Sequence, residues 1–304
     1  MNSPPAHTFR AGFVTLVGLP NVGKSTLLNA LVGERLSIIT PKAQTTQRKL
    51  RAIYSSDSHQ AVFIDTPGIM EPRYTLQRSM HEEAMSAIED ADVIVAVIDV
   101  GFSPSIEWGI SFDSSREKPK LLCFNKCDRI SKKNLAALHK RFADLGWEDI
   151  YTTDAVNEIG FEPFRSGILA RLPESAPLYP IDELSDTPVR EFIAEMIRET
   201  CLEELAEEVP YSIAVQVDQF KERRKGKPTY IEAVVYVERE SQKGIVVGTG
   251  GTMIRRIGTR TRVKIEKFLE QRVYLELRVK VLQNWRKKSH QLRVLGFRVP
   301  IQEK

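Results

Sequence analysis

The first 172 residues alternate short apolar runs with longer segments whose apolar residues recur every three to four positions. The runs Phe13–Val17, Arg48–Tyr54, Ala61–Asp65, Val93–Asp99, Lys120–Asn125 and Asp149–Thr153 are predicted as strands. Helical periodicity falls between them, at Lys24–Val32, Gln77–Asp90, Lys132–Leu145 and Phe161–Leu172, and Gly33 stands where the first helix should stop. This alternation predicts an α/β domain, a mostly parallel sheet with helices on both faces. The rhythm then changes. A helix over Val189–Glu208 precedes two alternating strands, Ser212–Phe220 and Tyr230–Glu238, joined by the polar turn Lys221–Pro228. A short helix (Gln242–Val247), a glycine-rich turn, a longer helix (Thr252–Leu269) and a strand (Val273–Val281) follow, the order of a smaller α+β domain. Prolines and acids crowd the stretch between the two patterns. The expected organisation is a flexible N-terminus over 1–10, a first domain over 11–172, a linker over 173–188 and a second domain over 189–304.

Charge sharpens this division. The net +4 is made of a neutral first part, 20 Lys/Arg against 20 Asp/Glu in residues 1–172. Residues 173–208 carry 2 against 11, a balance of −9, and residues 209–304 carry 22 against 9, a balance of +13. A basic module raises the local concentration of anions and favours a polyanionic partner; the acidic stretch reads as a solvated face. Composition, 42% hydrophobic and 28% charged, is that of a globular protein rather than a disordered one. No apolar run reaches the roughly 18–20 residues of a spanning helix, and the N-terminus lacks a secretory pattern. Cys123, Cys127 and Cys201 form no C-x-x-C, so reduced thiols in the cytoplasm are expected. His59, His81, His139 and His290 have no partner spacing and read as surface residues, and Trp108 and Trp147 read as packing.

Gly18-Leu19-Pro20-Asn21-Val22-Gly23-Lys24-Ser25-Thr26 matches the phosphate-loop pattern G-x-x-x-x-G-K-[ST] between a predicted strand and helix. Gly18 and Gly23 let the backbone wrap closely around phosphate, and the loop N–H groups and helix N-terminus present positive charge. Lys24 would reach the β/γ-phosphates and Ser25 would ligate Mg²⁺. Asn125-Lys126-Cys127-Asp128 selects the base. An Asp128 carboxylate can accept from both the N1–H and the exocyclic amine of guanine, and adenine offers no such pair. Lys126 would pack over the base while Asn125 ties this loop to the phosphate loop. Asp65-Thr66-Pro67-Gly68 follows a strand: Asp65 would hold Mg²⁺ through water, and the Gly68 N–H would meet the γ-phosphate. In Gln44-Thr45-Thr46, Thr46 is the preferred Mg²⁺ threonine and Thr45 the alternative. These motifs together predict a GTP-binding switch.

Together these motifs resemble the translation-factor-related GTPases, in the branch with Asn21 in the phosphate loop and an apolar residue, Ile69, after D-x-P-G. That resemblance implies a slow intrinsic rate, because the water-orienting glutamine of Ras-like proteins is absent, and K⁺ held by Asn21. It aligns Asp154-Ala155 with a Ser-Ala pair whose alanine N–H reads guanine O6. In the basic module, Gly248-Thr249-Gly250-Gly251 between two helices is the G-x-x-G of a KH domain, with Lys243, Arg255, Arg256, Arg260, Arg262 and Lys264 around it. Pro177-Leu178-Tyr179-Pro180, Glu208-Val209-Pro210-Tyr211-Ser212, Ser241–Gly248 and Trp285 extend the similarity over nearly the whole chain, to the Era family. The resemblance implies a KH domain of the prokaryotic topology binding single-stranded RNA near the 3′ end of small-subunit ribosomal RNA, in aid of 30S subunit assembly. Thr249 and Gln47 stand where the family usually has basic residues. A monomer in the cytoplasm is expected. Two other readings stay open: an RNA-binding scaffold with little turnover, and a regulator at the inner face of the cytoplasmic membrane, suggested by the tail Trp285-Arg286-Lys287-Lys288.

Overall fold

The computed structural model describes residues 8–40, 42, 45–101, 118–157, 159–223 and 226–299. Trp108 and Gln44 lie outside the described residues. The chain divides into two compact units, 1–37 with 46–71 and 80–186, and 38–45 with 72–79 and 187–304.

The first unit is built on a six-stranded sheet in the order β2-β3-β1-β4-β5-β6, from β1 (Arg10–Val17), β2 (Leu50–Ser55), β3 (His59–Asp65), β4 (Val93–Asp99), β5 (Lys120–Asn125) and β6 (Ile150–Thr152). The β2–β3 pair is antiparallel and the rest run parallel, the mostly parallel sheet expected. Central strands with helices on both faces must be apolar throughout, and β4 is buried from Val93 to Ile98. Helices α1 (Lys24–Val32), α2 (Thr75–Asp90), α3 (Lys132–Asp144) and α4 (Phe161–Leu169) connect or flank the strands. Gly33 ends α1 at φ +84°, as its position implied.

Residues 8–10 are not a flexible end: Arg10 opens β1, and the Phe9 carbonyl accepts from the Ser175 N–H at 3.1 Å. Nor is the stretch 173–186 a free linker. Gln60 is fully buried, and an amide in that position must be satisfied. Its Oε1 accepts from the N–H groups of Leu178 and Tyr179, and its Nε2 donates to the Tyr179 carbonyl at 2.9 Å. Arg51 pairs with Asp186 at 2.7 Å, and the Ile53 N–H donates to Leu184. The segment is strapped along β2 and β3.

The second unit follows the sequence order α5 (Val189–Glu204), β7 (Ala214–Lys221), β8 (Thr229–Val237), α6 (Glu240–Val247), α7 (Thr252–Leu269), β9 (Val273–Val281) and a short α8 (Ser289–Val294) that periodicity did not reveal. Its sheet runs β7-β8-β9, antiparallel then parallel. Ile193, Ile197 and Cys201 of α5 and Ile257 and Ile265 of α7 join Ile231, Ala233, Val235 and Val273 in one core. Trp285 is fully buried, its indole N–H 2.9 Å from the Ser212 carbonyl and its ring stacked on Phe297.

Candidate nucleotide and RNA sites

The loop between β1 and α1 needs its glycines for space as well as rotation. Gly23 has φ +97°, and a Cβ there would sit 2.3 Å from Asn125 Nδ2. A Cβ on Gly68 would sit 2.6 Å from the Pro20 nitrogen. The D-x-P-G segment is thus packed onto the phosphate loop, and the Ile69 N–H donates to the Gly18 carbonyl at 3.1 Å. Lys24 is 6% exposed, and its ammonium donates to the carbonyls of Gly18 and Leu19 at 3.1 Å each. Burial lowers its pKa to about 8, with Asp65 opposing. An ammonium desolvated in this way gains most from a phosphate placed within its reach.

Below it, Asp65 is fully buried at the end of β3, and burial pushes its carboxyl up while Lys24 and three hydroxyls pull it down. Its Oδ2 accepts from Ser25 Oγ at 2.6 Å, Ser37 Oγ at 2.8 Å and Thr46 Oγ1 at 3.2 Å. Ser25 and Thr46 lie 3.1 Å apart. Asp65 Oδ1 is buried without any partner. Two hydroxyls and a carboxylate with a vacant oxygen form a hard-oxygen donor set that fits Mg²⁺. The two threonines have different partners. Thr45 turns away, to the Thr40 hydroxyl and the Lys42 carbonyl, and Thr46 faces the carboxylate. Thr66 is buried and donates to the Leu16 carbonyl, so its hydroxyl holds strands together rather than facing the loop. Val22 packs inside, and Asn21, at φ +65°, is exposed.

The base-selecting loop is tied to the phosphate loop as expected: Asn125 Nδ2 donates to the Val22 carbonyl at 2.9 Å. Lys126, at φ +62°, crosses to the Asn21 carbonyl and Asp99 at 2.6 Å each. Asp128 is exposed, its carboxylate open to a ligand. Asp154, in place of the aligned serine, makes turn contacts of its own. Burial raises its pKa, but its carboxylate accepts from the Asn157 side-chain amide at 2.5 Å and from the N–H groups of Val156 and Asn157 at 3.0 and 3.2 Å, contacts that together hold it below the usual carboxylate range. The Ala155 N–H points to Asn125 Oδ1 at 3.3 Å. Next to this loop His139 is not a surface residue. Half-buried, it is 2.8 Å from Thr152 Oγ1 and edge-on to Phe124.

In the second unit, Gly248 (φ +73°), Gly250 (φ +59°) and Gly251 (φ +77°) form the turn into α7. Space around Gly250 and Gly251 is open, whereas a Cβ on Gly248 would meet the Met253 nitrogen at 2.8 Å. Thr249 is exposed beside them. The basic residues divide into two sets. Arg255 is exposed, and Lys243 makes a 4.0 Å contact with Glu240. Arg256 and Arg260 are engaged in ion pairs at the surface: Arg256 pairs with Glu204 at 2.6 Å, and Arg260 pairs with Glu204 and with Glu203 at 3.0 Å. Lys264 spans Glu199 at 2.7 Å and Glu203 at 2.9 Å. The acidic stretch is therefore not simply a solvated face. Three of its carboxylates lie against the basic face of α7.

Residues 13–126 match the family described as 50S ribosome-binding GTPase, and residues 208–286 match the KH domain family. GTPase Era of Carboxydothermus hydrogenoformans is 39% identical over 293 residues, 95% of this chain and 98% of that protein. GTPase Era of Geobacter sp. (strain M21) is 40% identical over 292 residues, with the same shares. The chain belongs to the Era GTPase family. Two solved Era structures are similar over 95% of this chain and 99% of theirs, each at 36% identity. One, from Aquifex aeolicus, is a variant bound to GDP·AlF4⁻, with a TM-score of 0.88; the other is Era in complex with MgGDPNP and nucleotides 1506–1542 of 16S ribosomal RNA, with a TM-score of 0.90. Membership in the Era family accounts for the pairing of a phosphate-loop GTPase domain with a KH domain in one chain.

Sequence reasoning missed Ser37, whose hydroxyl donates to Asp65, and Asn29, which holds the Ser37 backbone, since a lone serine in a loop carries no signal. The tail also reads differently in the fold. Trp285 is in the core and Arg286 pairs with Glu238 at 2.5 Å, which leaves Lys287 and Lys288 exposed.

Proposed function

We propose that this Era-family chain binds GTP with Mg²⁺, hydrolyses it to GDP and phosphate, and binds single-stranded small-subunit ribosomal RNA near its 3′ end to assist 30S assembly. The observation that carries the reading is the convergence of Ser25 and Thr46 on Asp65, a buried carboxylate whose second oxygen has no partner, close to Lys24. Lys24 would exchange two loop carbonyls for β/γ-phosphate oxygens, and Ser25, Thr46 and Asp65 would hold the metal. Bound Mg²⁺ would offset charge on the phosphates. Water attacks the γ-phosphorus, the bond to the β-bridging oxygen breaks, and GDP leaves with that electron pair. The N–H of Gly68, packed on the phosphate loop, is the group whose γ-phosphate contact is lost afterwards, which frees the segment that follows. Asn125, Lys126 and Asp128 take the guanine, with Asp154 shaping the loop and the Ala155 N–H leaving Asn125 for O6. Ile69 stands where a glutamine would orient the water, and Asn21 would hold a K⁺ that brings the positive charge an arginine finger otherwise supplies. On the RNA face Gly248, Thr249, Gly250, Gly251, Lys243 and Arg255 meet the backbone first, with Arg256 and Arg260 behind them.

The test is hydrolysis in K⁺ against Na⁺ at equal ionic strength, with and without a single-stranded 16S 3′-end RNA. Faster turnover in K⁺, lost in Lys24→Ala, supports the reading; equal rates in both salts remove the K⁺ site. Ile69 favours a second reading, an RNA-binding scaffold, and negligible turnover even with K⁺ and RNA would select it. Peripheral membrane binding draws support from Lys287 and Lys288 alone, since the residue suited to a membrane interface, Trp285, is buried. Among the described residues no helix is long and apolar enough to cross a membrane.

A further inference from the structure

Ser37 lies in the loop after α1 and is 5% exposed. Its hydroxyl donates to Asp65 Oδ2 at 2.8 Å, the oxygen that also accepts from Ser25 and Thr46. Three donors on one oxygen saturate it and fix the carboxylate's rotation, leaving Oδ1 buried with its lone pairs free. Ser25 and Thr46 are candidate metal ligands in their own right. Ser37 differs because a second residue is devoted to holding it. Asn29, in the last turn of α1 and 9% exposed, accepts from the N–H groups of Leu36 at 3.0 Å and Ser37 at 2.8 Å, and donates to the Ser37 carbonyl at 2.7 Å. One buried amide thus spends both its ends on the backbone of one serine. That arrangement holds the loop root rigid at the point where its hydroxyl meets the carboxylate.

We infer that Ser37, clamped by Asn29, is a positioning residue for the Mg²⁺ carboxylate Asp65; the inference rests on the GTP·Mg²⁺ reading of the site. A hydroxyl that orients a ligating carboxylate from outside the ligand set tunes metal affinity, and loss of such a partner typically weakens it about 10- to 100-fold. Ser37 hydrogen-bonds to Asn29 and Asp65 and not to the phosphate loop or the Asn125–Asp128 loop, so its removal should separate metal affinity from nucleotide affinity.

The experiment follows dissociation of a fluorescent GDP analogue from the full chain, from EDTA through a Mg²⁺ series, for the parent, Ser37→Ala, Ser37→Thr and Asn29→Leu. Ser37→Ala should dissociate within about two-fold of the parent in EDTA. Its Mg²⁺ midpoint for slowing release should rise about 10-fold or more. Asn29→Leu should move the midpoint in the same direction, and Ser37→Thr, which keeps the hydroxyl, should restore it. Melting in EDTA without nucleotide checks that each variant is folded. An unchanged midpoint in Ser37→Ala overturns the inference, as does an EDTA rate raised as much as the rate at saturating Mg²⁺, which marks general damage. A parent whose release ignores Mg²⁺ overturns the metal reading itself.

Discussion

Glu204→Gln tests whether the α5 carboxylates compete with RNA for the arginines of α7. The Glu204 side chain is 2% exposed, while those of Arg256 and Arg260 are 65% and 48% exposed, so both arginines can swing to solvent once the carboxylate is neutralised. Arg260 retains Glu203 at 3.0 Å, whereas Arg256 has no other acidic partner among the described residues. Each phosphate contact on a single strand contributes about 0.7 to the slope of log K against log salt. Freeing Arg256 alone steepens the slope by about 0.7, and freeing both by about 1.4. Over a four-fold change in salt, from about 50 to 200 mM, the ratio of affinities then grows about three- to seven-fold. The cost in folding stability is small, of the order of 1 kcal/mol for partly exposed pairs. The assay is fluorescence anisotropy with a short single-stranded RNA across the salt series, with Arg255→Ala and Arg256→Ala in the parent as controls. Arg255→Ala should lower the slope by about 0.7, and Arg256→Ala by less. A Glu204→Gln slope equal to the parent's, with Arg256→Ala costing the full 0.7, would refute the competition, because the arginine would already be on phosphate.

Asp128→Asn should shift preference from guanosine to xanthosine nucleotides, since an amide donor replaces the acceptor; unchanged GDP affinity, by equilibrium titration, would remove Asp128 from base recognition. Gly250→Asp should weaken RNA binding by repulsion while GDP binding is retained, because space around Gly250 is open and the backbone strain of a side chain at φ +59° stays local to an exposed turn; RNA binding equal to the parent's would leave the loop a plain helix turn. Trp285→Ala should cost about 3–5 kcal/mol in urea unfolding through the cavity and the lost contact with Ser212; a cost under 1 kcal/mol would contradict its place in the core. Burial lowers the pKa of His139 below its ordinary 6.5, so the folded state resists a proton that the unfolded chain accepts. Its neutral form supports folding fully above about pH 6.5, and that support is lost as pH falls below it. The stability difference between the parent and His139→Gln should therefore shift against the parent from pH 7 to pH 5, and parallel curves would reject the assignment.

Much of this molecule is written locally. The period of apolar residues fixed β4, β5, α1 and α7 nearly to the residue, because a strand buried on both faces and an amphipathic helix each demand their own spacing. The phosphate loop and N-K-x-D were legible for a related reason: close backbone approach to phosphate needs glycine, and a guanine edge needs a carboxylate, wherever the chain places them. What folding decided were pairings between distant segments. Thr45 and Thr46 are chemically equal in sequence, and only Asp65, arriving from β3, distinguishes them. The acidic stretch and the basic helix carry opposite charge at any reading, but the contact of Glu204 with Arg256 and Arg260 requires α5 and α7 to share one face of a sheet. Gln60 turns an apparent linker into a strap because its amide is buried, and burial is a property of the assembled chain. Ser37 matters through Asn29 and Asp65 together, a three-residue meeting that has no period and no motif. Local spacing encodes backbone conformation and single-residue chemistry; which hydroxyl or guanidinium is free to act depends on long-range partners, and those exist only once the sheet and helices have packed.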